Sequence, residues 1–152
     1  MITALILLPL VGALFVSGAR PNQARLIALG YTFLSALVAL SLWWDYDSAV
    51  PGLQLLERHE WIPAIGAEYI LGIDGLSLLL VLLVSLVIPF ALLAQPASRG
   101  LCALILVTQS ALYGTFTAQN FVLWFLFYEM SLIPAFLMIK LWGGEKRDRA
   151  AT

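Results

Sequence analysis

Five stretches of this chain stay apolar over about 20 residues each, the length at which a helix crosses the hydrocarbon core of a bilayer. They cover about residues 2–19, 26–44, 75–94, 101–119 and 121–142. Lipid offers no hydrogen bonds, so a stretch of this kind must satisfy its backbone internally, and a spanning helix does so. The chain of 152 residues is 62% hydrophobic and 11% charged, against about a quarter charged in soluble domains. The expected fold class is all-α: a polytopic membrane protein with five transmembrane helices. A net charge of −1 gives no cationic surface for nucleic acid. The first residues have no basic region and no early cleavage site, so they read as a retained first helix, the shortest of the five.

The connections 20–25 and 95–100 are short, and Gln119-Asn120 marks a tight turn between the last two helices. The connection 45–74 is long and holds most of the acids. It contains Pro51-Gly52 and Trp61-Ile-Pro63, and its stretch Glu68–Asp74 reads either as a short strand or as the run-in to the third helix.

Basic residues set the expected orientation. Arg20, Arg25, Arg99, Lys140, Lys146, Arg147 and Arg149 all fall on one side of a five-span chain, and only Arg58 falls on the other. The positive-inside rule puts the N-terminus outside and the C-terminus in the cytoplasm. The 45–74 connection is then an outer loop carrying Asp45, Asp47, Glu57, Glu60, Glu68 and Asp74. Trp43, Trp44, Trp61 and Trp142 fall near the expected interfaces, where tryptophan is favoured.

Glu129 is the carboxylate in the middle of the fifth stretch. On a helix from Phe121 to Trp142 it lies about 12 Å from one end and about 20 Å from the other. An ionisable group at that depth costs at least about 2.5 kcal/mol against lipid, and such groups face protein or water and serve ion or proton movement. Pro134 cannot donate a backbone hydrogen bond, so the carbonyl of Met130 loses its helical partner. A loosened turn beside the carboxylate would be a place for water. The structural alternative is a glutamate bonded to a neighbouring helix. Lys140 shares its helical face but is about 16 Å away along the axis, too far to pair. It reads as a lysine that snorkels to the cytoplasmic interface, or as a proton-uptake group at that mouth.

Gln109, Tyr113 and Thr117 recur at four-residue spacing on the fourth helix, as a packing face or as a polar wall for waters near Glu129. Ser110 and Gly114 are small residues four apart, which lets a neighbouring helix come close. Pro89 frees the carbonyl of Ser85 as Pro134 frees that of Met130. Asp74 or Ser77 would cap the third helix. Cys102 is the single cysteine and reads as an apolar filler. His59 with Glu57 and Glu60 offers three potential ligands in four residues. Without a second histidine or a cysteine the set reads as solvated charge, and no metal site is expected. No phosphate-cradling loop, iron–sulfur cysteine cluster or nucleophile–histidine arrangement is present in the sequence.

Several blocks, in order, resemble one family. They are Leu8-Pro-Leu-Val-Gly-Ala-Leu14, Trp61-Ile-Pro63, Gly72-Ile-Asp-Gly-Leu-Ser-Leu78, the aromatic residues before Glu129, Ser131-Leu-Ile-Pro134 and Leu141-Trp-Gly-Gly144. The chain is similar to the N-terminal third of the antiporter-like membrane subunits of respiratory complex I (NADH-quinone oxidoreductase), of the chain 4 or subunit M type. The resemblance implies a fold of about fourteen helices built on two inverted five-helix repeats. It implies that residues 1–152 are the N-terminal membrane region, in the inner cell membrane beside other membrane subunits of the complex. It gives Glu129 the role of an essential proton-pathway residue, paired with a lysine on a seventh helix that would lie beyond Thr152. Lys140 stands where a neutral residue is expected. The implied activity is proton translocation coupled to electron transfer from NADH to quinone. NADH, FMN, iron–sulfur clusters and quinone would belong to other subunits, with no cofactor in this chain. Two alternatives stay open: a subunit of a multi-subunit cation/proton antiporter, and a non-transporting truncated fragment.

Overall fold

A computed structural model describes residues 1–95 and 98–144. Lys146, Arg147 and Arg149, and the end of the expected membrane region, lie outside the described residues. The elements run α1 (Ile2–Gly18), α2 (Pro21–Asp45), β1 (Gln54–Ile62), β2 (Ala67–Ile73), α3 (Gly75–Ala94), α4 (Arg99–Thr117) and α5 (Phe121–Trp142), with one 3-10 turn at Pro63–Ile65. Helices α2 to α5 are each long and apolar enough to cross a membrane. Helix α1 has 17 residues, about 26 Å at 1.5 Å per residue. The chain is a membrane protein of mostly helical structure.

Helix starts follow local chemistry. Helix α2 begins at Pro21, five residues before its apolar stretch, because proline suits the first helical position, where no intrahelical N–H bond is needed. Asp74 and Ser77 form a reciprocal cap on α3. The Ser77 N–H donates to the Asp74 carboxylate at 2.7 Å, and the Asp74 N–H donates to Ser77 Oγ at 2.8 Å. The Ser77 N–H holds the Asp74 carboxyl below its usual range. Asn120 caps α5 by accepting from Val122 N–H at 3.0 Å and Leu123 N–H at 3.4 Å.

Helix α4 is the hub: it packs against α1, α2, α3 and α5. Its fully buried Leu106, Gln109, Ser110, Ala111, Tyr113 and Thr117 look into the bundle. Ser110 O–H donates to the Ile6 carbonyl of α1 at 2.7 Å, so its small side chain brings the two helices together. Two arginines close the other end of the bundle: Arg25 of α2 donates to the Gln95 carbonyl just after α3, and Arg99 reaches the Ala19 carbonyl after α1 at 3.4 Å. Cations suit helix C-termini, where carbonyls are left over.

The long connection folds into an antiparallel β-hairpin. Of the stretch Glu68–Asp74 that reads two ways in the sequence, strand β2 takes all but Asp74, which caps α3. Strand β1 has no counterpart in the sequence expectation. Its alternation is hidden by Glu57, Arg58, His59 and Glu60 and broken by two register irregularities. The turn closes at Gly66, whose φ of 66° lies in the left-handed region that glycine tolerates best.

Candidate functional site

Helix α5 carries the carboxylate of interest, and its packing is one-sided. Among its residues only Leu123 and Pro134 are buried. With Phe127, Met130 and Met138, which are half-buried, they form one stripe facing α4. Contact is close because Gly114 of α4 has no side chain: a Cβ there would lie 2.3 Å from the Phe127 ring. Trp142 closes on Gly100 in the same way, 3.1 Å from a notional Cβ.

Glu129 sits on the opposite side of α5 and is exposed. At 100° per residue it lies about 140° round the helix from the packed stripe. Phe125, Leu132, Phe136 and Lys140 share its side and are exposed as well. Beside it runs an aromatic ladder: Phe121 stacks on Trp124 at 5.9 Å, and Trp124 on Tyr128 at 5.3 Å. Among the described residues the ion pairs are Met1–Glu57 and Arg58–Glu68, so Glu129 has none.

Lys140 does not reach Glu129. Its ammonium lies over the Phe136 ring, 5.4 Å from the centroid, a cation–π arrangement one turn back along the helix. Pro134 does not act beside Glu129 either. It is buried on the α4 side, so the carbonyl it frees on Met130 belongs to the packed stripe, about a third of a turn from the carboxylate.

The polar row of α4 turns to α3. Gln109 Nε2 donates to the Tyr113 hydroxyl at 2.9 Å, and that hydroxyl lies 2.7 Å from Ser85 Oγ, which itself donates to the Val81 carbonyl at 2.8 Å. Gln109 Oε1 is buried without a partner. These groups join α3 to α4 at mid-depth, while the α5 contact falls to Gly114, so they form no wall beside Glu129.

The acids of the hairpin are committed elsewhere. The Glu57 carboxylate caps the start of α1, accepting from the Met1 amine, Ile2 N–H at 2.8 Å, Thr3 N–H at 3.0 Å and the Thr3 hydroxyl. Thr3 Oγ1 in turn lies 2.9 Å from the Tyr69 hydroxyl. Burial by itself would push the Glu57 carboxyl up, but these bonds to the amine and Thr3 outweigh it and hold it at about 2. Burial raises the Tyr69 hydroxyl. His59 lies against the Tyr69 ring at 6.2 Å, and no metal-binding group of three or more ligands occurs among the described residues.

No protein-family model matches the chain. Among curated proteins, NAD(P)H-quinone oxidoreductase chain 4-3 of Nostoc sp. is 36% identical over 99% of this chain and 28% of its own length. F(420)H(2) dehydrogenase subunit M of Methanosarcina mazei is 36% identical over 97% of this chain and 31% of its own. NAD(P)H-quinone oxidoreductase chain 4 of Gloeobacter violaceus is 38% identical over 99% of this chain and 30% of its own. The chain thus spans under a third of the length of these relatives. Of solved structures, a chain of respiratory complex I from Thermus thermophilus with bound NADH superposes with a TM-score of 0.85 at 34% identity, covering 99% of this chain and 31% of that one. A chain of the Mrp complex from Dietzia sp. gives a TM-score of 0.78 at 20% identity over 99% of this chain and 17% of that one, a likeness of fold.

Proposed function

We infer that this chain, akin over nearly its whole length to chain 4 of NAD(P)H-quinone oxidoreductase and subunit M of F(420)H(2) dehydrogenase, is part of a proton-translocating membrane subunit of such an oxidoreductase. The observation that carries the reading is Glu129, which has no ion pair among the described residues and lies on the uncovered face of a membrane-length helix. A carboxylate held there against lipid costs about 2.5–3.5 kcal/mol or more. A carboxylate covered by a helix bearing a cation is instead a group that can take up and release protons as the local potential changes. Glu129 is that group in our reading, and Lys140 is a surface cation on the cytoplasmic side. The hairpin end faces outward and the arginine end faces the cytoplasm, in the inner cell membrane.

The subunit works beside other membrane subunits of the complex. NADH, flavin, iron–sulfur clusters and quinone belong to those partners, and this chain holds no redox group. Its part is to move protons when redox chemistry elsewhere shifts the field around Glu129. Two relatives at 36% identity are named for different electron donors, NAD(P)H and F(420)H(2), which supports a donor bound by other subunits. The antiporter reading shares the fold and differs in its partners.

The test is Glu129→Gln in the assembled complex, reconstituted in vesicles. Loss of this subunit's share of proton pumping with normal assembly is the expected result. A proton-to-electron ratio equal to wild type would sink the reading. Co-purification with small antiporter subunits instead of donor-oxidising ones would favour the antiporter.

A further inference from the structure

Among the described residues, helix α5 makes its main contacts along α4 and at the hairpin through β2. A helix packed on a single neighbour keeps one free coordinate, a swing about that neighbour's axis. A second attachment off that axis removes it. The hairpin supplies the attachment at the α4–α5 turn. Leu71 forms an antiparallel bridge with Ala118, and the Gln119 N–H donates to the Ile70 carbonyl at 2.8 Å. Two side chains add to it: Gln119 Nε2 reaches the Gly72 carbonyl at 3.3 Å, and Asn120 Nδ2 the Gly66 carbonyl at 3.4 Å. The hairpin is itself tied to α1 through Glu57 and runs directly into the capped start of α3.

We propose that the β-hairpin positions the Glu129 helix, with Gln119 and Asn120 as the positioning residues that set the angle of α5 around α4. The inference rests on the proton-translocation reading for its functional consequence only. Helix axes pack about 9 Å apart, so a 10° swing about α4 carries α5 sideways by about 1.6 Å. Misplacement of a reacting group by about 1 Å can cost on the order of a hundredfold in rate.

Asn120 separates the two jobs its side chain performs. Asn120→Asp keeps an acceptor for the α5 cap but has no N–H to give Gly66. Gln119→Met keeps length and removes the donor to Gly72. The double variant N120D/Q119M in the assembled complex leaves the backbone bonds and the α5 cap in place. Spin labels at Leu86→Cys on α3 and Ile133→Cys on α5, both exposed positions, read the swing directly. The expected result is a distance distribution shifted or broadened by about 1–2 Å, this subunit's share of pumping reduced severalfold with a displaced pH profile, and assembly unchanged. The conservative variant Asn120→Ser alone should sit between the double variant and wild type. An unchanged distance distribution overturns the positioning role. So does a shifted distribution with wild-type pumping and pH profile, provided Glu129→Gln removes this subunit's share of pumping in parallel. If Glu129→Gln pumps normally, the functional reading has failed instead, and the distances alone decide the inference.

Discussion

Gly114→Ala tests how α5 is seated. The new methyl would lie 2.3 Å from the Phe127 ring, more than 1 Å inside ordinary contact of about 3.5 Å. Phe127 lies on the packed stripe, so the ring cannot clear the methyl without moving α5 or leaving its rotamer. Overpacking of this kind costs about 1–3 kcal/mol. In an exposed helix the same change would gain about 0.5–1 kcal/mol, because alanine loses less backbone entropy than glycine. The sign therefore depends on the ring. In a Phe127→Ala background the overlap is gone, and Gly114→Ala should turn stabilising by about 0.5 kcal/mol. The assay is a double-mutant cycle on reversible unfolding of the full chain in bicelles, with the coupling energy expected at about 1–3 kcal/mol. An equal cost for Gly114→Ala in both backgrounds would refute the proposed seating of α5 on α4.

Two further outcomes follow from groups already described. Glu57 ionises near 2 in the fold and near 4.5 when free, so its contribution, about 3 kcal/mol at most, is present above about pH 4.5 and lost as the pH falls toward 2. Glu57→Gln should lower stability at pH 7 and flatten the decline between pH 5 and 2, read by denaturation at stepped pH. Within the bundle, Tyr113→Phe strands the Gln109 N–H and a Ser85 lone pair and should cost about 1–2 kcal/mol. Gln109→Leu gives up one bond but also removes the buried Oε1 that has no partner, so it should cost less than Tyr113→Phe in the same unfolding assay.

The helices were legible because lipid allows few alternatives: an apolar run of about 20 residues has to be a spanning helix. Their caps were partly legible. Asp74 and Ser77 read as the α3 cap, Asn120 read only as part of a turn, and Pro21 offered a signal that an apolar count passes over. What local pattern could not supply is contact at long range. The cap on α1 comes from Glu57, some 55 residues away, and in the sequence that glutamate is one more charge in a polar loop. Strand β1 was hidden for the same reason: its charges are explained by what they touch on α1 and β2, and not by alternation along the chain. The small pair Ser110 and Gly114 announced close helix contacts, but only the fold distinguishes α1 as the neighbour of one and α5 as the neighbour of the other.

Pro134 and Glu129 looked like one device in the sequence, a loosened turn beside a carboxylate. Their placement separates them. Pro134 is buried against α4 and Glu129 points the other way, so water gathered at the freed carbonyl would not be water at the carboxylate. Lys140 is engaged with Phe136 about 16 Å along the helix. No described group within α5 therefore compensates Glu129, and α4 lies behind it. The face it shares with Phe125, Leu132 and Phe136 is apolar apart from Glu129 and Lys140. A face of that make-up suits a helix that buries the aromatics and brings a cation to the level of Glu129. In the proton-translocation reading proposed above, the cation approaches from the side opposite α4, near the depth of the α5 midpoint. A lysine introduced on the α4 side, as in Ala111→Lys, should leave Glu129 as it was and disrupt packing instead, because that fully buried position faces the bundle and not the carboxylate.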